Sequence, residues 1–128
     1  MNRIVFHIEV LLALVRARFV SVPIGEGAVS ASGDAGSTGI PPEAVRIARG
    51  VDAVATGLGL RNACLIRARA LWLLLNRRGI PAVLEVGVRT RRNGLQAHAW
   101  VRMGPEILIG NLPDLSTYQT LQDHQVTQ

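Results

Sequence analysis

"NACLIRARALWLLLNRRGIPAVLEVGV", residues 62–88, changes its periodicity midway, and that change decides the fold. In the first half the apolar positions Leu65, Ala68, Trp72 and Leu75 recur every three or four residues, the spacing that turns one face of an α-helix toward a core. Asn62 suits the cap at its start, "NRRG" supplies basic residues for the last turn with Gly79 beyond it, and Pro81 prevents the helix from resuming. From Ala82 the period falls to two, so "AVLEVGV" is expected as a strand.

Downstream, "LQAHAWVRM" continues the period of two and is joined to the first strand across "RTRRNG", where Asn93-Gly94 suits a tight hairpin turn. "MGPE" offers a second turn and "EILIG" a third strand, antiparallel to the second. Upstream, "PPEAVRIARGVDAVATGLGL" opens on prolines suited to a first helical turn, so a helix is expected from Pro42 to Thr56, with Val45, Ala48, Val51, Ala55 and Leu58 on one face. The N-terminal run "RIVFHIEVLLALVRARFV" reads as an amphipathic helix packed through Ile4, Ile8, Leu11, Leu12 and Val15. The Gly/Ser-rich stretch between these helices is expected as a loop. The whole is an α+β arrangement: helices packed on a small three-stranded antiparallel meander, with the cysteine at a helix N-terminus.

With 128 residues the chain has the length for a single domain, divided into an N-terminal helix (1–22), a flexible loop (23–41), a core (42–121) and a polar tail (122–128). The charge of +5 comes from arginines alone, scattered from Arg3 to Arg102, and aromatics make up only 4%. Nucleic-acid binding wants clustered cations with stacking rings, so that class is set aside. One cysteine cannot form an internal disulfide, and the cytoplasm is the expected compartment. His7 and Glu9 interrupt the N-terminal apolar run, which falls short of the roughly 20 apolar residues a bilayer span needs. Peripheral membrane contact through that helix stays open.

The single cysteine, Cys64, opens the central helix. There the positive end of the helix dipole and the unpaired backbone N–H groups favour thiolate over thiol, and the same groups can receive an oxyanion. His98, on the middle strand of a sheet that this helix would cover, is the candidate general base and acid. Each has a plainer reading, Cys64 as a packed small hydrophobe and His98 as a half-buried polar residue.

The run "CLIRARALWLLLNRRGIPAVLEVGV" followed by "QAHAWVRMGPEILIGNLPDLSTY" resembles the transglutaminase-like B proteins of lasso peptide biosynthesis, over about residues 42–121. The motifs that carry the resemblance are the cysteine-led helix ending in "RRGIPA", the "GV" strand end and "HAW". The resemblance implies a papain-like cysteine protease core that removes the leader of a ribosomally made precursor with a Cys-His-Asp triad, Cys64 as nucleophile and His98 as base. Antiparallel pairing across Gly104-Pro105 places Asn111 where the family's aspartate is expected, with Asp114 as the alternative. Asparagine accepts a hydrogen bond from imidazole but adds no charge to stabilise imidazolium. Asn111 is the preferred third member; the plainer reading is that both residues shape the "NLPD" turn, which for Asp114 weighs as much as a catalytic role.

Trp100 shares the strand face of His98 and is a candidate for shielding the imidazole or lining a substrate groove, with core packing as the alternative. Gln96 and Arg102 have the same parity, and Glu85 has no evident partner. Larger members of the resembled family carry a leader-recognition domain. Its expected absence before Pro42 implies a separate leader-binding protein, with an ATP-dependent cyclase receiving the product. No phosphate loop, metal or cofactor is expected in this chain. Two other functions remain: a degenerate domain that presents the leader to another enzyme, and acyl transfer to an amine, as in true transglutaminases.

Overall fold

In the computed structural model, which describes residues 3–17, 40–60, 63–92 and 94–121, three helices precede four strands. The helices are α1 (Arg3–Ala17), α2 (Pro42–Gly57) and α3 (Cys64–Arg77). The strands are β1 (Val83–Arg91), β2 (Gly94–Met103), β3 (Glu106–Ile109) and β4 (Gln119–Leu121), with a 3₁₀ turn at Leu115–Thr117. This is an α+β fold. The sheet is antiparallel throughout, in the order β3-β2-β1-β4.

α3 is the centre of the molecule, and its ends have local causes. At the C-terminus Gly79 takes a φ of +71°, and the N–H of Ile80 reaches back to the Leu75 carbonyl at 2.9 Å, which stops the helix where the sequence predicts. At the N-terminus the cap position is Ala63, without a side-chain cap bond, while the cap expected of Asn62 falls outside the described residues. Ala68, Ala70, Leu71, Trp72, Leu74 and Leu75 are all buried, a wider face than the four expected positions. The width follows from position: α3 touches α1, α2 and three strands.

α2 runs one residue beyond expectation and packs through Ala44, Ile47, Ala48, Val51 and Ala55. Val45 is only half-buried and Leu58 is exposed, so the buried face is rotated from the expected one. The correction to α1 is larger. Ile4, Val5, Ile8, Leu11, Leu12 and Val15 are exposed, and the helix instead buries Val10, Ala13, Leu14 and Ala17. Two contacts orient it. Glu9 accepts a hydrogen bond from Arg78 Nη2 at 2.7 Å, and the Phe6 ring lies so close to Gly50 of α2 that a Cβ there would stand 2.4 Å from it. No helix among the described residues is long and apolar enough to cross a membrane.

The hairpin is longer than expected: β1 extends to Arg91, which pairs with Gly94, so Gly94, expected in the turn, begins β2, while Asn93 lies outside the described residues. The expected three-stranded meander gains a fourth strand. Gln119–Leu121 pairs with Val88, Gly87 and Val86 on the far edge of β1. Three residues with two exposed polar side chains have no hydrophobic periodicity to read, and the strand exists through its ladder to β1. The helices cover one face of the sheet, where Leu84, Ala99, Val101 and Ile109 join the core with Ile47 and Leu71.

Candidate active site

Cys64 is the first helical residue of α3 and is half-buried. The helical ladder begins with the Arg67 N–H to the Ala63 carbonyl at 3.0 Å. Among the described residues, the N–H groups of Cys64, Leu65 and Ile66 have no acceptor. They are the orphan donors of a helix start, available to an anion presented at the sulfur.

His98 reaches the same cavity by a different route from the one expected. Its strand neighbours Ala99 and Val101 point into the helical core, so alternation places His98, with Gln96, Trp100 and Arg102, on the sheet face away from α3. The ring meets Cys64 only around the end of β3, which pairs with β2 no further than Ile109 opposite Val101. There the two side chains line one cavity of about 360 Å³, together with Ala48, Arg49, Asp52, Arg67 and the Leu108–Asn111 segment. Among the described residues no hydrogen bond joins the sulfur to the imidazole.

The imidazole has a defined orientation. Nε2 stands 2.6 Å from the Gly110 carbonyl, which can only accept, so Nε2 carries the hydrogen and the neutral ring keeps its lone pair on Nδ1. Gly110 has a φ of +87°, and a Cβ on it would meet the Ala99 carbonyl at 2.6 Å. Only glycine lets the chain pass this close to β2.

Behind the ring, Trp100 stacks on His98 with centroids 6.1 Å apart, Tyr118 lies 5.8 Å from the same ring, and the Trp100 and Tyr118 rings meet edge to face at 6.5 Å. Trp100 is 3% exposed and lies outside the residues lining the cavity; it backs the imidazole. Its indole N–H donates to Glu85 Oε1 at 2.9 Å, and the same oxygen accepts from Arg102 Nε at 2.7 Å. Sequence reasoning left Glu85 unpaired and did not single out Tyr118. The parity of Glu85 with Trp100, its direct partner in the register, was the available signal for the first.

The two candidates for the third position are separated. Asn111 lines the cavity, but the group that holds Nε2 is the carbonyl of its neighbour, Gly110. Asp114 is engaged elsewhere: its carboxylate accepts from Arg89 Nη1 at 2.5 Å and lies 3.5 Å from Arg91 Nη2. The hydrogen bond from Arg89 holds the Asp114 carboxyl below the usual carboxylate range. Arg89 in turn sits 4.4 Å over the Tyr118 ring, so Asp114 supports the rear of the site through two intermediaries. Among the described residues no group of three or more His, Cys, Asp or Glu side chains could hold a metal ion.

The family model described as the transglutaminase-like superfamily matches residues 7–123. No curated protein and no solved structure matches the chain.

Proposed function

The chain belongs to the transglutaminase-like superfamily, and from that premise we propose that it is a cysteine peptidase that removes the leader from a ribosomally made lasso peptide precursor. The observation that carries the reading is the shared cavity: Cys64 at a helix start and His98 with Nε2 committed to Gly110, leaving Nδ1 to exchange a proton. The Cys64 thiol gives its proton to Nδ1 of His98, the resulting thiolate attacks the scissile carbonyl carbon, and N–H groups of the first turn of α3 receive the oxyanion. The C–N bond then breaks, and the departing nitrogen takes its proton from Nδ1 of His98. Water, giving a proton to Nδ1, attacks the thioester carbon, and the C–S bond breaks to release the leader acid and the thiolate.

The leader as substrate is supported by the likeness of "RRGIPA" and "HAW" to the lasso B proteins. On the same ground the reading includes a separate leader-binding protein, an ATP-dependent cyclase that takes the freed core peptide, and work in the cytoplasm. The test is cleavage of a precursor supplied with its leader-binding protein, followed by mass spectrometry. Cys64→Ala should abolish the cleaved product while the far-UV circular dichroism stays that of the wild type, and undiminished cleavage by that variant would sink the reading.

One feature favours a second reading, a domain that presents the leader without cutting it. The one carboxylate expected near His98, Asp114, is held by Arg89, and the sulfur makes no hydrogen bond to the ring among the described residues. Thiol labelling separates the two: a nucleophilic Cys64 reacts with iodoacetamide below about pH 8, and an inert one does not.

A further inference from the structure

The cavity shared by Cys64 and His98 carries more charge than the proposed cleavage uses. Its wall from α2 and α3 presents Arg49, Asp52 and Arg67. Arg67 lies one helical turn after Cys64, and its guanidinium is fixed on three sides. Nε donates to the Leu60 carbonyl at 2.8 Å, Nη1 to Asp52, and Nη2 to Thr56 Oγ1 at 3.3 Å. The Asp52 charge is therefore offset by Arg67. Arg49, one turn before Asp52 on α2, is exposed and makes no ion pair among the described residues. The facing wall offers Leu108, Ile109, Gly110 and Asn111, all uncharged. One positive charge is left over in the cavity that the sulfur lines, and a charge in a cleft acts at longer reach than on an open surface.

We propose that Arg49 is a specificity-determining residue that selects a carboxylate-bearing side chain in the peptide next to the bond offered to Cys64. The proposal rests on the peptidase reading for its substrate, but the selectivity belongs to the cavity and can be measured without cleavage. The fixed pair of Arg67 and Asp52 holds α2 against the start of α3 and keeps Arg49 at the rim; Arg49 itself meets the ligand. A neutral peptide residue gains nothing from this charge, whereas an aspartate or glutamate side chain does.

Cys64 is the only cysteine, so alkylation reports on one site. Iodoacetate and iodoacetamide share a leaving group and nearly a shape, and differ in charge. Their second-order rates with the folded protein give a ratio in which any change in thiolate content cancels. In the wild type this ratio should exceed that of the same protein unfolded in urea. Arg49→Ala should lower it roughly five-fold and Arg49→Glu further, with both differences shrinking in high salt. Arg46→Ala, on the same helix but outside the cavity, should leave it unchanged. A wild-type ratio in Arg49→Glu would overturn the proposal. So would a folded protein in which Cys64 is closed to both reagents, because the cavity would then not open onto the sulfur. A protein that fails to cut its precursor yet keeps the Arg49-dependent ratio loses the peptidase reading alone. One that cuts, with a ratio indifferent to Arg49, loses the anion selection alone.

Discussion

α1 and α3 pack against each other, yet they use their apolar residues in opposite ways. α3 is surrounded and buries residues on most of its circumference, from Ala68 to Leu75. α1 has one neighbour side only; it buries Val10, Ala13, Leu14 and Ala17 and leaves Val5, Ile8 and Leu12 more than half exposed. Most of the Ile, Leu and Val side chains of α1 are outside, and two of its four buried residues are alanines. Apolar area alone would favour the reverse, because burying a Leu or Ile side chain stabilises more than burying an alanine. What overrides area is fit. Ala13 and Ala17 permit a close approach to α3, Phe6 fills the notch above Gly50, and Glu9 pairs with Arg78. A helix that is apolar on all sides is thus oriented by its few specific contacts.

The most demanding way to break this contrast is a pair of equal truncations. Leu71→Ala removes a fully buried side chain of α3 and should cost about 2–5 kcal/mol, read from urea unfolding. Leu12→Ala, on the outward side of α1, should change stability by no more than about 0.5 kcal/mol. Comparable losses from the two would mean that α1 is packed through the other face.

The contrast is sharpened at Gly50. A methyl group there collides with Phe6, so Gly50→Ala should destabilise by about 1–3 kcal/mol despite the better helix propensity of alanine. In a Phe6→Ala background the collision is gone and the same substitution should become neutral or mildly stabilising. A loss that persists without the Phe6 ring would remove that ring as the cause. A loss smaller than at Gly50 is expected from Glu9→Gln, which weakens the half-buried bond to Arg78 and should lower stability by about 1 kcal/mol. An unchanged urea midpoint would show that packing alone orients α1.

The candidate site divides along similar lines. Cys64 at the first turn of α3 was legible from the helical periodicity of the apolar residues that follow it. That His98 belongs with it was legible only as a strand facing a helix, and the strand parity in fact turns the imidazole away from α3. The two share a cavity because β3 ends early and the chain turns at Gly110 around the rim of the sheet. The competition between Asn111 and Asp114 was open to sequence reasoning. Its setting depends on Arg89, a residue of β1 that claims the Asp114 carboxylate, and on a backbone carbonyl, which every residue possesses and no pattern singles out.

The sequence by itself determined the helical span and C-terminal end of α3, the β1–β2 hairpin, the turn into β3 and the place of the single cysteine. Each of these depends on caps, turn residues and periodicity within a few positions of one another. Only the tertiary structure decided which side of α1 faces inward, that Gln119–Leu121 becomes a strand, that Glu85 ties Trp100 to Arg102, and that Gly110 holds His98. Those outcomes are pairings between residues far apart in the chain, and their energies exist only once folding has brought both partners together.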